Sequence, residues 1–206
     1  MCGNGARCIS RYAYLNKITG KKMTFETAAG IVSSEILEGR LVKVLLNNPE
    51  VIKVNNKIEI DNIEYECSYI ELGNPGLPHA VVKYGLKNAI CSELFKIGRK
   101  IRYYAGFPKG ANVNFFEVLD ESTVIIKTYE RGVEDITLAC GTGAAVTAVA
   151  SMIKGYIKGN KVKVLVPGGE LFIEVEKNKG KIEKLFLIGT TNIVAVGKVF
   201  DEGLIY

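Results

Sequence analysis

The segment that decides the fold reads Ala-Cys-Gly-Thr-Gly-Ala at residues 139–144. Before it, residues 124–129 alternate between apolar and polar side chains, which predicts a strand, and residues 130–132 form a charged bend. After it, residues 144–152 are small and mostly apolar, which predicts a buried helix. Cys140 therefore stands where a loop becomes a helix, with two glycines on its helical side.

A second copy of this segment opens the chain, because residues 2–6 read Cys-Gly-Asn-Gly-Ala. When Cys2 is aligned with Cys140, each copy is followed by a helix-like run and then by a strand, a glycine turn and a strand, at 23–37 and 162–175. The period is too long for a solenoid repeat. We therefore predict two similar lobes, related by a rough two-fold, whose equivalent elements face one cleft.

Length and composition are those of an ordinary globular protein. The 206 residues are 48% hydrophobic and 24% charged, and 27 Lys and Arg against 22 Asp and Glu give a net charge of +5. The lysines are scattered and no arginine-rich stripe occurs, so we expect no nucleic-acid partner. No run reaches the roughly 18 apolar residues of a membrane helix, and the first residues do not have the pattern of a signal segment. We therefore expect a cytoplasmic protein without a membrane partner.

The cysteines and the histidine argue against a metal site. The five cysteines contain no C-x-x-C pair, and His79 is the only histidine, so neither a zinc site nor another metal centre is expected. An odd number of thiols in a cytoplasmic protein predicts free cysteines. Cys8, Cys67 and Cys91 lie outside glycine-rich turns and are interpreted as small buried apolar residues.

The rest of the pattern predicts a strand-rich α/β fold of the mixed, α+β type. Helical spacing covers 3–17 and 92–103, and alternating segments separated by Gly, Asn and Pro predict strands elsewhere, the last of them at Val194–Phe200. We expect two pseudo-symmetric lobes, each a curled sheet or barrel around a central helix.

The break at Asn47-Asn48-Pro49 is the predicted boundary between the lobes. Residues 1–48 together with 194–206 form the first lobe in this division, and residues 49–193 form the second.

Two thiols at two helix starts suggest acid–base chemistry. A helix start offers unpaired N–H groups and the positive end of the dipole, which bind an anion and lower the pKa of a nearby thiol. If two such starts face each other, one thiolate can remove a proton from one face of a substrate while the other thiol delivers a proton to the opposite face. This is what a cofactor-independent racemase or epimerase needs at an amino-acid α-carbon. A cysteine hydrolase with His79 as its base is the competing interpretation.

Taken together, the motifs resemble those of the diaminopimelate epimerase family along the whole chain. The resemblance is carried by the two cysteine segments and by the following shorter motifs: Gly73-Asn74-Pro75 with His79, Asn112, Tyr129-Glu130-Arg131-Gly132 and Pro167-Gly168-Gly169. Proline racemases share the fold and the two-thiol logic, but they typically carry a histidine at the position of Asn4.

The resemblance implies a role for each of these residues. Cys2 and Cys140 would be the acid and base thiols that interconvert L,L- and meso-diaminopimelate in lysine and cell-wall precursor biosynthesis, without a cofactor. The residues that would hold the substrate α-carboxylate are Gly3, Asn4, Gly141 and Thr142. Those that would hold its distal amino-acid end are Asn74, Asn112 and Arg131. Glu130, with His79 as a further candidate, would bind the reacting ammonium or tune the thiols.

The chain departs from the family pattern in two places. Gly76-Leu77-Pro78 lengthens the connection between Asn74-Pro75 and His79, and the strands and asparagines that family members carry before the first cysteine motif are not found in this sequence. We expect an amino acid, as a small-molecule substrate, and a homodimer as one form of assembly. The alternatives are a racemase of histidine, glutamate or proline on the same scaffold, and an inactive fragment or binding protein.

Overall fold

The computed structural model describes residues 2–28, 30–197 and 200. Three helices lie among these residues: α1 Gly3–Leu15, α2 Cys91–Arg102 and α3 Gly141–Ile153. The strands are β1 Lys22–Thr27, β2 Gly30–Ile36, β3 Leu41–Leu46, β4 Pro49–Ile60, β5 Ile63–Leu72, β6 Leu77–Lys83, β7 Asn112–Asp120, β8 Thr123–Glu130, β9 Asp135–Thr137, β10 Lys161–Val166, β11 Gly169–Asn178 and β12 Lys181–Thr190. The mixed, strand-rich fold class is therefore confirmed.

All these strands belong to one curled, unclosed sheet. Its order is β1-β2-β3-β12-β11-β10-β8-β7-β6-β5-β4, and the short β9 pairs with β8. Neighbours are antiparallel except for β6 with β7 and β8 with β10, which are parallel. The sheet is thus a single path in which β12 joins the strands that follow α1 to the strands that follow α3.

The predicted internal repeat is present in the secondary structure. Helix α1 and the hairpin β1–β2 correspond to helix α3 and the hairpin β10–β11, and both hairpins are closed by short turns, with pairs Thr27↔Gly30 and Val166↔Gly169. Both of these glycines have positive φ, 98° and 134°, which residues other than glycine rarely adopt. The exact division into lobes stays a prediction, since β4 begins at Pro49 within the same continuous sheet.

Apolar side chains form two clusters on opposite faces of strands β5–β8. Alternate residues of a strand point to opposite faces of the sheet. Ile70, Val81 and Phe116 pack on the side of α3. The same cluster contains Ala6 and the inner residues of β2, β3 and β10–β12. Their sequence neighbours pack on the side of α2, among them Phe115. Helix α3 is therefore enclosed by the sheet, whereas α2 covers its outer face.

The predicted C-terminal strand Val194–Phe200 is wrong where the structure describes it. Residues 194–197 and Phe200 are not in a strand, and Val194 and Val196 are 94% and 93% exposed; residues 198 and 199 lie outside the described residues. The alternating pattern favours a strand, but both neighbours of β12 are already taken by β3 and β11, so the segment that follows β12 finds no open edge beside it.

Candidate active site

The two predicted catalytic thiols cap the two helices in the same way. Cys2 precedes α1 and Cys140 precedes α3, both with extended backbone, and each sulfur accepts a hydrogen bond from the N–H three residues later. These bonds are 3.5 Å from Gly5 N and 3.4 Å from Gly143 N. The cysteine takes the place that Ser, Thr, Asp or Asn usually has at a helix N-cap. The repeated sequence therefore produces repeated local geometry.

The two helix starts lie against each other through their first glycines. A Cβ atom placed on Gly3 would lie 3.9 Å from Gly141 Cα, and it would also lie 2.5 Å from Leu187 Cδ2 of β12. A Cβ atom on Gly141 would meet the same leucine atom at 2.7 Å. A side chain at either position would force the fully buried Leu187 or the helices themselves to move. The structure thus brings Gly3 and Gly141 together as predicted.

A side-chain bridge also crosses between the helix starts. Asn4 Nδ2 donates to the carbonyl of Ala139 at 3.5 Å, and Asn4 Oδ1 accepts from Arg7 Nη2 at 3.1 Å. Arg7 is 8% exposed, and burial lowers its pKa from the ordinary value. Its Nε and Nη1 are buried without a hydrogen-bond partner among the described residues. Sequence reasoning did not single out Arg7 or Leu187.

The surroundings of the two thiols differ. Cys2 is exposed, whereas Cys140 is only 6% exposed. The Cys140 Sγ atom lies 3.5 Å from Thr142 Oγ1. Burial raises the pKa of the Cys140 thiol to about 11; the hydrogen bonds from Thr142 and Gly143 act in the opposite direction, and the charge of Glu130 adds to the increase. In this structure Cys140 is therefore a protonated thiol at neutral pH.

A cavity of about 420 Å³ lies beside the start of α3. It is lined by three of the predicted substrate-binding residues, Asn74, Arg131 and Thr142, together with parts of β3, β5 and the loop before β6. A second cavity, of about 350 Å³, lies in front of Cys2, and Ala28 lines both of them. The structure therefore brings Asn74 and Arg131 to the α3 side of the helix starts.

Asn112 and Glu130 hold the surrounding loops. Asn112 is buried at the start of β7; its Oδ1 accepts from Arg131 N at 2.9 Å, and its Nδ2 donates to Pro78 O at 3.3 Å. Glu130 Oε2 accepts from Thr137 Oγ1 at 2.9 Å. Arg131 Nη1 donates to Lys109 O at 2.9 Å. The amide of Asn112 thus holds the Arg131 backbone, so its predicted contact with a substrate stays a prediction.

His79 is fully buried on β6, directly opposite Asn112 in the parallel pairing of β6 with β7. Burial is the main cause that lowers the pKa of His79 to about 3, and the nearby charge of Arg131 lowers it further. The imidazole is therefore neutral. Its ring contacts Asn114, which sequence reasoning missed. The available signal was that Asn112 and Asn114 alternate with Val113 and Phe115, which places two amides on one face of a buried strand.

Neither a metal cluster nor a membrane span is found in the described ranges. Residues 2–28, 30–197 and 200 contain no group of three or more His, Cys, Asp and Glu side chains that could hold a metal ion. In the same part of the chain, no helix is both long and apolar enough to cross a bilayer.

Comparison with known proteins shows the family of the chain. The family model of diaminopimelate epimerase matches residues 72–194. The chain is 42% identical over 210 residues to a diaminopimelate epimerase of Aquifex aeolicus, covering all of this chain and 72% of that protein. It is 38% identical over 187 residues to the diaminopimelate epimerase of Archaeoglobus fulgidus, covering 86% of this chain and 65% of that one.

Solved structures share the fold at low sequence identity. A hydroxyproline epimerase from Agrobacterium vitis with bound trans-4-hydroxy-L-proline superposes with a TM-score of 0.69 at 15% identity, over 92% of this chain and 63% of that one. A phenazine biosynthesis protein of the PhzF family from Bacillus anthracis superposes with a TM-score of 0.68 at 14% identity, over 92% of this chain and 73% of that one. The family model and the relatives, which match 86–100% of this chain, lead to one assignment: the chain belongs to the diaminopimelate epimerase family of isomerases.

Proposed function

We propose that this protein interconverts L,L- and meso-diaminopimelate by moving a proton between two thiols across the substrate α-carbon. The observation that carries the proposal is the contact between two cysteine-capped helix starts, Gly3 against Gly141, beside a cavity lined by Arg131. The names of the relatives suggest the substrate, and the two thiols at adjoining helix starts support a two-base proton transfer.

The helix starts suit the α-carboxylate of the substrate. The first backbone hydrogen bonds of the two helices are Ala6 N to Cys2 O and Ala144 N to Cys140 O, both 2.9 Å. Of the N–H groups between each cap and these alanines, those of Gly5 and Gly143 donate to the cysteine sulfurs. The N–H groups of Gly3, Asn4 and Gly141 precede the intrahelical ladder, and such groups can bind an anion. The carboxylate would lie between the two helix ends, where Gly3, Asn4, Gly141 and Thr142 present donors. These donors would also stabilise the negative charge that develops when the α-proton leaves.

The proton transfer uses both thiols and leaves the number of protons unchanged. One cysteine, as the thiolate, takes the α-proton, and the electron pair of the C–H bond stays on the carbanion. The other cysteine, as the thiol, gives its proton to the opposite face of the same carbon and becomes the thiolate. The raised pKa of Cys140 makes it the acid in the first such step, and Cys2 is then the base. The scheme assigns no step to a metal or an organic cofactor.

The cavity suits the distal amino-acid group. Arg131 and Asn74 line it together with Thr142, which follows Cys140 by two residues. A guanidinium can bind a carboxylate through two parallel hydrogen bonds, and an asparagine amide can accept from an ammonium. Diaminopimelate carries both groups at its far end, whereas proline carries neither. This residue set therefore supports diaminopimelate, and with it a role in the cytoplasmic supply of lysine and cell-wall precursors.

The test is exchange of the α-hydrogen in deuterated water. The protein is incubated with L,L-diaminopimelate, and proton NMR and chiral chromatography follow the loss of the α-proton signal and the appearance of the meso isomer. We expect both processes in the unchanged protein and a rate lower by about 10²-fold or more in Cys2→Ala and Cys140→Ala.

The expectation that Cys8, Cys67 and Cys91 are buried is correct only for Cys67, since Cys8 and Cys91 are exposed. Cys91→Ala is the matched control, because Cys91 is an exposed free thiol at the start of α2. It should keep the full rate. If Cys2→Ala and Cys140→Ala exchange as fast as Cys91→Ala, the two-thiol mechanism is wrong. Faster exchange of histidine, glutamate or proline than of diaminopimelate would instead show a different substrate.

A further inference from the structure

A cluster of three polar side chains lies beneath the start of α3, on a face of the sheet that is otherwise largely apolar. Its members are His79 of β6, Asn114 of β7 and Thr128 of β8, exposed by 0%, 0% and 2%. Asn114 is the centre of this cluster. Its Nδ2 lies 3.2 Å from His79 Nδ1 and donates to Ala80 O at 3.1 Å, and its Oδ1 accepts from Thr128 Oγ1 at 2.9 Å.

The orientation of the Asn114 amide follows from its partners. The carbonyl of Ala80 can only accept a hydrogen bond, so the atom of Asn114 that faces it must be the nitrogen. The second hydrogen of the same nitrogen then points at His79 Nδ1. A donor on the amide requires a lone pair on the ring nitrogen, so Nδ1 carries no proton. The proton of the neutral imidazole is therefore on Nε2.

This tautomer makes His79 a hydrogen-bond donor rather than an acceptor. Its Nε2 is buried and has no partner among the described residues. A buried N–H without an acceptor costs free energy, so the group is ready to donate to any negative atom that enters the site. A ring with the opposite tautomer would offer a lone pair there instead and would repel such an atom.

Asn114 also contacts the helix start that carries Cys140. A Cβ atom on Gly143 would lie 2.2 Å from Asn114 Oδ1 and 3.3 Å from Cys140 Cβ. Gly143 is the residue whose N–H donates to the Cys140 sulfur. The first turn of α3 therefore sits directly on the amide of Asn114, and one side chain is in contact with both His79 and the backbone beside the thiol.

We propose that Asn114 is a positioning residue: it fixes His79 as an Nε2–H donor and seats the first turn of α3 so that Gly143 reaches the Cys140 sulfur. As far as the reaction is concerned, this inference rests on the proposed function. The assignment of the tautomer and of the helix contact does not depend on it.

The tautomer can be measured directly because His79 is the only histidine. The chain is labelled with ¹⁵N-histidine, and NMR correlations from the ring carbon protons distinguish a protonated from an unprotonated ring nitrogen. We expect Nε2 protonated and Nδ1 unprotonated in the unchanged protein, without change between about pH 5 and pH 8, the range in which a solvent-exposed histidine titrates. A protonated Nδ1 in the unchanged protein would overturn the proposal.

Substitutions separate the role of Asn114 from general damage to the cluster. Asn114→Ala removes the donor to Nδ1, so a population with protonated Nδ1 should appear. Thr128→Val is the matched control, because it removes the bond to Asn114 Oδ1 but leaves both bonds of Asn114 Nδ2. The control should keep the original tautomer. If Thr128→Val changes the tautomer as much as Asn114→Ala does, Asn114 does not fix it.

The exchange rate tests the positioning role. We expect kcat of Asn114→Ala to fall about 10- to 100-fold, by analogy with the loss when the side chain that orients a metal-bound histidine is removed, with little change in KM. Unchanged kcat together with a changed tautomer would show that Asn114 does not position the reaction. If the unchanged protein does not exchange diaminopimelate at all, the proposed function fails, and the NMR result still decides whether Asn114 fixes His79.

Discussion

Helices α1 and α3 begin with the same Cys-Gly-x-Gly-Ala sequence, yet they lie in opposite surroundings. Helix α3 buries all of its residues except Thr142 and Ile153, whereas α1 buries only Gly3, Ala6, Arg7 and Ser10. Sheet strands surround α3, but α1 packs on β2, β3 and β12 from one side. The motif therefore fixes the hydrogen bond to the thiol, and the tertiary environment decides how strongly that thiol holds its proton.

The outer face of α1 also differs from the corresponding face of α3 in burial. Ile9, Tyr12 and Leu15 are exposed by 52%, 62% and 42% although they follow helical spacing, and their counterparts in α3, apart from Ile153, are buried. Single exposed apolar residues are common, but a row along one helix is not. An apolar pattern shows that a side chain is suited to burial, and only the surrounding strands decide whether it is buried.

The largest difference between the helices should come from a buried charge. Ala150 of α3 is 1% exposed, and Tyr12 occupies the corresponding position of α1. Ala150→Asp places an unpaired carboxylate among apolar side chains, so we expect a loss of about 4 kcal/mol or more in the free energy of unfolding. Tyr12→Asp should change it by less than about 0.5 kcal/mol. Urea unfolding followed by circular dichroism measures both, and equal losses would contradict the comparison.

Alanine substitution at the matched glycines Gly143 and Gly5 should change the stability of the protein in opposite directions. A Cβ atom on Gly143 would collide with the fully hydrogen-bonded Asn114, so Gly143→Ala should destabilise the protein by about 1–3 kcal/mol. A Cβ atom on Gly5 would lie 3.8 Å from Cys2 Cβ and Sγ, which is ordinary contact. Gly5→Ala should therefore stabilise by about 0.5–1 kcal/mol, since alanine favours the helix. Thermal unfolding of both variants is the measurement, and a stable Gly143→Ala variant would show that Asn114 can move.

The two thiols should differ in their rate of alkylation. The pKa of Cys140, raised to about 11 by burial, leaves it almost entirely protonated near pH 8, and only the thiolate reacts. We expect iodoacetamide to modify exposed Cys2 at least about tenfold faster than Cys140, whose rate should still rise above pH 9 because its thiolate forms only there. Peptide mapping by mass spectrometry follows each cysteine separately. Comparable rates at both sites would mean that Cys140 is not held in its protonated form.

Arg7 should give the smallest effect. It corresponds to Ala145 of α3 and is a buried cation with two unpartnered nitrogens, so Arg7→Met removes an unfavourable charge burial while keeping most of the volume. The free energy of unfolding should stay within about 1 kcal/mol of the unchanged protein or rise slightly. Arg7→Ala is the control that leaves a cavity and should be less stable than Arg7→Met. A loss of several kcal/mol in Arg7→Met would mean that the Arg7 guanidinium has hydrogen-bond partners beyond Asn4.

Features that depend on neighbouring residues were predictable from the sequence, whereas contacts between residues far apart in the chain were not. Thiols at helix starts, glycines beside them and the hairpin 23–37 all depend on neighbours within a few residues, so periodicity and turn chemistry were sufficient. The strand at Val194–Phe200 failed because alternation does not show whether a sheet edge is free. The role of Asn114 was missed because its contact with His79 depends on the parallel pairing of β6 with β7, in which His79 lies opposite Asn112 and its ring reaches Asn114.

Leu187 has a consequence for the order in which this protein is made. A single methyl group of this residue touches both Gly3 and Gly141, and Gly189 on the same strand lies against Arg7. Cys2 precedes Cys140 by 138 residues, and Leu187, which lies against both helix starts, follows both cysteines in the sequence. Contacts between such distant parts of a chain form slowly. The contact of Leu187 with both helix starts therefore cannot form until β12 has been translated and has paired with β3 and β11.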